Sequence, residues 1–200
     1  MNVRGREKPT HHLSKQKKAG ESPVPIGKKK PPMLRIPRLE DAPGIWNLIC
    51  SCKPLDLNSR YAYLLLCHHF ADTCVVAEGD SRLLGFLSAY RPPPTPDVIF
   101  VWQVAVHADA RGQGLGKRML EELLRRSACE GVSGLETTVT PSNTASLALF
   151  RSLAKRLDTT ISKAGLFPEE VFGADAHEEE ILYRVGPFNR EKLFEQEGDK

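Results

Sequence analysis

A short glycine-rich stretch, Arg111-Gly112-Gln113-Gly114-Leu115-Gly116, constrains the fold of this chain more than any other feature. It follows a run rich in Val and aromatic residues and precedes a segment with apolar residues at helical spacing, so it joins a strand to a helix. Glycine lets the backbone turn tightly and approach a ligand closely. The free N–H groups at the start of the helix, together with its positive dipole end, suit a pyrophosphate.

The spacing of the glycines excludes two common phosphate-binding loops. A dinucleotide-binding loop needs G-x-G-x-x-G near the start of a βαβ unit, whereas Gly112, Gly114 and Gly116 alternate deep in the chain. A Walker loop needs Ser or Thr after Gly-Lys, but Arg118 follows Lys117 here. The remaining pattern, R-x-x-G-x-G after a Val-Ala-Val strand, resembles the acyl-coenzyme A loop of the GNAT N-acyltransferases.

The apolar pattern predicts a single α/β or α+β domain around one central sheet. From about Met33 the order is strand, two helices, hairpin, strand, helix, strand, helix, strand. The resemblance to the GNAT acyltransferases implies a mixed, mostly antiparallel sheet flanked by helices. The helix opened by the glycines carries one apolar stripe, formed by Leu115, Met119, Leu120, Leu123 and Leu124.

Charge is distributed unevenly along the chain. Residues 1–33 contain nine Lys or Arg against two acidic residues, whereas the net charge of the whole chain is only +3, so the remainder is acidic. We expect a disordered basic tail over 1–32, a folded domain over 33–187 and a C-terminal tail over 188–200. An acidic body disfavours nucleic-acid binding. A run of about 18 apolar residues is also missing, so we expect no membrane partner either.

The cysteines predict a reducing compartment and no metal. There are five, at positions 50, 52, 67, 74 and 129; the number is odd and no CxxC occurs, so no disulfide framework is expected. Cys50 and Cys52 with Cys67, His68 and His69 match no standard zinc spacing. Since the N-terminus also lacks the apolar stretch of a signal peptide, we predict a cytoplasmic protein.

The resemblance to the GNAT acyltransferases implies acetyl-CoA as the co-substrate. The strand would offer backbone groups to the pantetheine arm, and the loop amides would hold the pyrophosphate. Asn143 opens a segment that matches the family pattern N-x-x-A-x-x-x-[YF], and would contact the pantetheine or its thiol end; it also suits a helix N-cap. The implied coenzyme contacts are Val104, Ala105, Val106, Arg111, Gly112, Gln113, Gly114, Leu115, Gly116 and Asn143.

Position 150 departs from the family pattern. Many relatives have a Tyr there that protonates the leaving thiolate, and Phe150 cannot do so. Either another group serves as the acid, or the thiolate leaves without much help, which a thiol pKa of about 8.5 tolerates.

Four longer stretches resemble one subfamily more specifically. They are LDLNSRYAYLLLCHHFADTCVVAE, GFLSAYRPPPTPDVIFVWQVAVH, ARGQGLGKRML and LETTVTPSNTASLALF, and the match extends over about residues 34–187. Together they resemble the L-2,4-diaminobutyrate acetyltransferases of ectoine synthesis. The resemblance implies transfer of acetyl from acetyl-CoA to the 4-amino group of L-2,4-diaminobutyrate, for osmotic protection. It also implies a homodimer, for which the apolar helix at 63–70 is the candidate surface.

Such an acceptor is a small zwitterion with a second ammonium group, so its pocket needs carboxylates. Asp56 precedes a helix close to Tyr61 and Tyr63. Trp102 lies beside the expected thioester site and would wall the amine by a cation–π contact, with ordinary core packing as the alternative. Arg38, Arg60 and Arg91 are the open alternatives for the acceptor carboxylate.

The stretch His177-Glu178-Glu179-Glu180 is expected on a late strand. Alternation would then put His177 and Glu179 on one face, with Glu178 and Glu180 on the other. These residues form either a cation-receiving pocket, with Glu179 among its acceptor contacts, or a solvated edge strand.

We expect direct attack of the amine within a ternary complex. An alkylammonium has a pKa of about 10, so a base must remove its proton. Glu178 is the first candidate for this base, followed by His177 and Asp56. The N–H near Val104 is the candidate donor to the oxyanion. Two alternatives stay open: a GNAT enzyme for another small amine, and a non-catalytic acyl-CoA-binding module.

Overall fold

The computed structural model describes Met1 and residues 30–79, 81–173 and 177–195. Four α-helices lie within these residues: α1 (Ala42–Cys50), α2 (Arg60–His69), α3 (Leu115–Arg125) and α4 (Thr144–Arg156). The strands are β1 (Met33–Arg35), β2 (Val75–Gly79), β3 (Arg82–Tyr90), β4 (Val98–Val106), β5 (Gly134–Val139), β6 (Ile161–Phe167) and β7 (Glu180–Val185).

These strands form one sheet in the order β1-β2-β3-β4-β5-β7-β6. β4 and β5 pair in parallel, and every other neighbouring pair is antiparallel. The predicted mixed, mostly antiparallel sheet flanked by helices is therefore confirmed.

Helices cover both faces of the sheet. In β2, Val75 and Ala77 belong to the core cluster that contains α3 and α4, whereas Val76 between them belongs to the cluster that contains α1 and α2. Successive strand residues point to opposite faces, so both faces of the sheet are packed. All five residues of the predicted apolar stripe on α3 are buried.

The pairing of β4 with β5 stops halfway along both strands. It runs from Val98↔Gly134 to Val101↔Thr137, after which β4 continues to Val106 and β5 to Val139. We call the unpaired part, 102–106 of β4 with 138–139 of β5, the splay. It leaves an opening inside the sheet in which backbone groups can meet a ligand.

A β-bulge lies where the splay begins. Ser88 pairs with Gln103 and Ala89 with Val101, so Trp102 is an extra residue on β4. A bulge re-aims a side chain. Trp102 is 41% exposed, although Val101 and Gln103 on either side of it are buried. The bulge therefore exposes the side chain of Trp102, although the apolar composition of β4 predicts a buried strand.

Two expected features differ from the structure. Strand β6 was not predicted, because Ser162 to Phe167 are all exposed and a bulge near Gly165 breaks their alternation. In addition, β7 begins only at Glu180, so 177–179 precede the strand on which they were predicted, and His177 does not share a face with Glu179.

The predicted C-terminal tail packs onto the domain as far as the structure describes it. Phe188 and Leu193 are buried in the main core cluster. Arg190 Nη2 donates to Leu124 O at 3.0 Å, and Arg125 Nη2 donates to Leu193 O at 2.7 Å. Two buried apolar residues and two arginine hydrogen bonds to backbone carbonyls therefore hold this segment against the domain. Of the expected N-terminal tail, residues 2–29 lie outside the described residues.

The surface of α2 also differs from expectation. Tyr63, Leu66 and Cys67 are buried against α1 and the sheet, so the apolar side of this helix serves the core rather than an exposed interface. Within the described ranges, no helix has both the length and the apolar character needed to cross a bilayer.

Candidate active site

The glycine loop connects β4 to α3, and its first two glycines adopt a conformation that other residues rarely take. Gly112 and Gly114 both have φ of 72°, and Gly114 is the N-cap of α3. Gly116 has a different reason to be glycine: a Cβ there would stand 3.3 Å from Leu149 Cδ2 on α4. Two glycines therefore shape the turn, and the third lets α3 pack closely against α4.

Two side chains of the loop hold it in place. Arg111 Nε donates to Val106 O at 3.0 Å, which ties the loop to the end of β4. Gln113 Nε2 donates to Asp109 O at 2.9 Å. Of the predicted coenzyme contacts, Gln113 alone does not line the cavity described next; its predicted contact is through the backbone N–H, which the position of its side chain leaves open.

A cavity of about 490 Å³ lies against this loop and the splay. Nine of the ten predicted coenzyme contacts line it: Val104, Ala105, Val106, Arg111, Gly112, Gly114, Leu115, Gly116 and Asn143. Lys53 and Lys117 also line it, and Lys117 stands in the first turn of α3, where a diphosphate would sit. We call this the coenzyme cavity.

The backbone of β4 presents polar groups to the splay. The N–H of Gln103 donates to Ser88 Oγ and that of His107 to Leu84 O, so both point toward β3. Alternate residues of an antiparallel strand point the opposite way. The N–H and C=O of Val104 and Val106 therefore point into the splay. This is the direction needed for the predicted oxyanion donor at Val104.

A second cavity, of about 370 Å³, opens from the splay on the other side. Its wall contains Trp102 from the bulge, Thr138 from β5 and Phe150 from α4, together with four ionisable residues: Asp56, His177, Glu178 and Glu180. We call it the acceptor cavity. Pro54, Leu55, Val104, Asn143 and Ser146 line both cavities, so the two meet there.

Asn143 stands at this junction as the N-cap of α4. Its Oδ1 accepts a hydrogen bond from Ser146 N at 3.1 Å. The N-cap role is therefore present, and the same side chain lines both cavities. With Oδ1 engaged, Asn143 would meet a ligand through its Nδ2 donors.

Glu180 belongs to the stretch predicted as a candidate cation-receiving pocket, but the sequence analysis gave it no role of its own. Its Oε2 is buried and has no hydrogen-bond partner among the described residues. Burial raises the pKa of Glu180 above its ordinary value, and a hydrogen bond with Thr138 opposes this effect. A buried carboxylate oxygen without a partner, inside a cavity, is suited to receive an ammonium group. The sequence does not show which of the three consecutive glutamates is the first residue of β7, and it is this position that brings Glu180 into the cavity.

Glu178 lines the same cavity but is already engaged. Its Oε2 accepts from Ser142 N at 3.1 Å, and its Oε1 accepts from Ser142 Oγ. These bonds connect the segment before β7 to the turn before α4. The carboxylate therefore holds the cavity wall, and its oxygens are less available to a substrate than those of Glu180.

His177 and Asp56 form a hydrogen-bonded pair across the mouth of the acceptor cavity. His177 Nε2 lies 3.2 Å from Asp56 Oδ2, and His177 Nδ1 lies 2.6 Å from Glu178 O. Both neighbours are acceptors, so both ring nitrogens donate when the ring is protonated. The bond to Glu178 O and then the bond to Asp56 raise the pKa of His177.

Hydrogen bonds from the core also position Asp56, and Tyr63 takes part in them through Gln103. Gln103 Nε2 donates to Asp56 O at 2.7 Å, and Tyr63 Oη donates to Gln103 Oε1 at 3.4 Å. Tyr63 is fully buried, so it stands behind the site rather than in contact with the acceptor as predicted. A buried hydroxyl commonly finds such a partner.

Two other predicted acceptor contacts lie away from the cavity. Tyr61 is 67% exposed on the outer side of α2, one position before the buried face. Glu179 lines a separate acidic depression with Glu169 and Glu170, because the chain has not yet entered β7. The structure therefore does not bring either residue to the acceptor cavity.

None of the three candidate arginines lines the acceptor cavity, and two of them are engaged elsewhere. The guanidinium of Arg60 lies 3.7 Å from the centre of the Trp46 ring, and Arg91 Nη1 donates to Glu130 O at 3.1 Å. Arg38 precedes the short turn before α1. Of the described arginines, none lines the acceptor cavity. In the same described ranges, no group of three or more His, Cys, Asp or Glu could hold a metal ion.

Comparison with known proteins adds the following similarities. The acetyltransferase (GNAT) family matches residues 42–154. An L-2,4-diaminobutyric acid acetyltransferase from Marinococcus halophilus is 47% identical over 154 residues, which are 77% of this chain and 89% of that protein. The protein of the same name from Bordetella parapertussis is 52% identical over 156 residues, covering 78% of this chain and 84% of that protein.

A solved structure is similar over most of its length. It is the diaminobutyrate acetyltransferase EctA from Paenibacillus lautus, in complex with its substrate L-2,4-diaminobutyric acid and coenzyme A. Its TM-score is 0.75 at 41% identity, with 83% of this chain and 98% of that chain covered.

Proposed function

The chain belongs to the acetyltransferase (GNAT) family, among the L-2,4-diaminobutyrate acetyltransferases, and from this premise we propose that it acetylates the 4-amino group of L-2,4-diaminobutyrate with acetyl-CoA. One observation carries the proposal. The coenzyme cavity and the acceptor cavity meet at Val104 and Asn143. A thioester that comes from one side and an amine that comes from the other would meet at that point.

The charge of the acceptor cavity matches this acceptor. Asp56, Glu178 and Glu180 face one imidazole, that of His177, so the wall is net acidic. With both amines protonated, L-2,4-diaminobutyrate carries two positive charges and one negative charge. An acidic cavity therefore favours the diamine over amino acids with a neutral side chain.

We place Glu180, rather than Glu178, against the reacting amine as its base. The amine must lose a proton before it attacks, and Glu180 offers a buried oxygen without a partner, whereas Glu178 is bound to Ser142. Burial raises the pKa of Glu180, which brings it closer to the range in which a carboxylate acts as a base. Glu178 and His177 then hold the wall of the cavity.

Attack on the thioester carbonyl gives a tetrahedral oxyanion. The Val104 N–H, directed into the splay, is the donor that would stabilise it. The C–S bond then breaks and the electron pair leaves with the sulfur. Phe150 lines the cavity and has no proton to give, so the thiolate leaves unaided by that residue.

Cys67 and Cys74 are poor nucleophiles for an acetyl-enzyme. Burial raises the pKa of the Cys67 thiol to about 11 and that of the Cys74 thiol to about 12. The thiolate is the nucleophilic form. These two thiols are therefore protonated at neutral pH, which supports transfer within a ternary complex.

Mass spectrometry of the products formed from acetyl-CoA and L-2,4-diaminobutyrate tests the proposal. The expected product carries one acetyl group, on the 4-nitrogen. A strong preference for lysine or another amine in a panel would instead favour a GNAT enzyme for that amine. Coenzyme A binding without transfer to any amine would favour an acyl-CoA-binding module.

We further propose that the product is consumed in ectoine synthesis for osmotic protection, and that the enzyme works in the cytoplasm. All five cysteines are free, which is consistent with a reducing compartment. An extract of cells under salt stress should therefore contain the acetylated diamine only when this chain is expressed.

We also propose a homodimer, assembled through β6. Every residue from Ser162 to Phe167 is exposed, and Val171 beyond the strand is exposed too. An exposed edge strand with apolar side chains is a template for pairing with a second copy. Light scattering should give twice the chain mass, and Leu166→Glu should give the monomer.

A further inference from the structure

The connection between β6 and β7 brings one aromatic side chain against the wall of the acceptor cavity. Phe172 stacks on the imidazole of His177, with ring centroids 4.2 Å apart and an interplanar angle of 17°. Phe172 is half-buried. His177 lines the cavity, so Phe172 supports the cavity wall from outside.

His177 is thereby fixed on its edges and on one face. Its two nitrogens contact Asp56 Oδ2 and Glu178 O, and its ring rests on Phe172. Asp56 belongs to the connection between α1 and α2, 121 residues earlier in the chain. The His177–Asp56 pair therefore joins two connections across the mouth of the cavity.

The described groups that face His177 favour its charged form. Asp56, Glu178 and Glu180 approach from the α1–α2 connection and from the segment entering β7. The face of an aromatic ring is also negative, so it attracts a cation placed over it. The stack with Phe172 therefore adds to the acidic surroundings instead of opposing them.

We propose that Phe172 is a positioning residue for the acceptor: its ring holds the imidazole of His177 against Asp56, and this pair sets how tightly the diamine binds. The proposal rests on the proposed function, because its kinetic readout is acetylation of L-2,4-diaminobutyrate. Phe172 acts through His177 and takes no part in the bonds that form and break.

The test compares three variants of the full chain. Phe172→Leu keeps apolar bulk without the ring, Phe172→Tyr keeps the ring, and Glu169→Gln is a control at an exposed position of the same short helix. In Phe172→Leu the KM for the diamine should rise about two- to five-fold, the size of an exposed cation–π contact. Its kcat and its KM for acetyl-CoA should stay unchanged, and the other two variants should behave as wild type.

A titration of His177 by NMR supplies a readout that a merely structural role would not move. Loss of the ring destabilises the imidazolium, so the pKa of His177 should fall toward its ordinary value in Phe172→Leu and stay raised in Phe172→Tyr. The KM for the diamine should change with pH along the same titration.

An unchanged titration and KM in Phe172→Leu would overturn the proposal. So would an equal loss in Phe172→Leu and Phe172→Tyr, because bulk rather than the aromatic face would then matter. If the wild type acetylates no diamine, the proposed function fails, while the NMR titration still tests the stack by itself.

Discussion

The two cavities that meet at Asn143 are built in opposite ways. About half of the lining of the coenzyme cavity comes from one continuous stretch, 104–117, which presents backbone N–H groups at glycines and at a helix start. The acceptor cavity is assembled from distant segments, with Asp56 and His177 121 residues apart, and it presents side chains. Recognition of the donor is therefore a property of local sequence, whereas recognition of the acceptor is a property of the fold.

The largest expected effect is a loss of kcat when the carboxylate of Glu180, on the acceptor side, is removed. Glu180→Gln should lower kcat by a factor of about 100 to 10,000, the usual contribution of a general base. In the wild type, activity should fall as the pH falls through the raised pKa of Glu180, because a protonated carboxyl cannot accept the amine proton. The variant should lose this acid limb in a pH–rate profile.

Glu179→Gln is the matched control, since Glu179 precedes Glu180 but lines the separate depression. It should keep wild-type kcat and KM. If Glu178→Gln instead abolishes the acid limb while Glu180→Gln keeps it, the base is Glu178, the first candidate from the sequence.

A backbone change should break the donor side. Gly114→Val places a β-branched residue at φ of 72° on the loop that faces the coenzyme. The loop must shift, and two charged hydrogen bonds to the diphosphate lost at about 1.5 kcal/mol each would lower kcat/KM for acetyl-CoA on the order of 100-fold. The KM for the diamine should hardly change.

Gly131→Val separates strain from ligand contact. Gly131 has φ of 75° and, like Gly114, open space where a Cβ would stand, but it lines neither cavity. It should lower thermal stability as Gly114→Val does and leave the kinetics unchanged. Equal kinetic losses in the two variants would show that the loop matters only for stability.

The smallest expected effect concerns stability at the acceptor side. Burial raises the pKa of Glu180 in the folded state, so its charged form opposes folding, and stability is lost as the pH rises through that pKa. Glu180→Gln should therefore raise the Tm at pH 7 by a small amount, about 2 °C. Below pH 4 the carboxyl is neutral in both states and the difference should vanish, which calorimetry at the two pH values can check.

The same contrast explains what the sequence could predict. The glycine loop and the apolar stripe of α3 both lie within one short segment of the chain. The positions of Gly112, Gly114 and Leu115 therefore follow from local backbone conformation and from helical periodicity. Gln113 is the exception on the donor side. Whether a polar side chain faces a ligand or its own backbone depends on a rotamer, and here it caps Asp109 O.

The acceptor side depends on register, which sequence alone leaves open. One residue in the starting point of β7 decides whether Glu179 or Glu180 enters the cavity, because neighbouring strand residues point to opposite faces. Tyr61 and Tyr63 are two positions apart on a helix, and only the packing of α2 on α1 shows which is buried. The bulge at Trp102 likewise cannot be predicted from the sequence, because the residues around it are mostly of the apolar type that a regular strand would have.

The splay has a final consequence for the order of events. A sheet that parts between β4 and β5 leaves Val104 and Val106 paired with β3 on one side and without a strand on the side of β5. The amide groups of the donor's pantetheine arm would form hydrogen bonds with β4 there. The donor would thus supply the acetyl group and also take the place of a neighbouring strand. The wall of the acceptor cavity would then be complete only in the enzyme that has already bound the donor. We therefore expect the donor to bind before the acceptor.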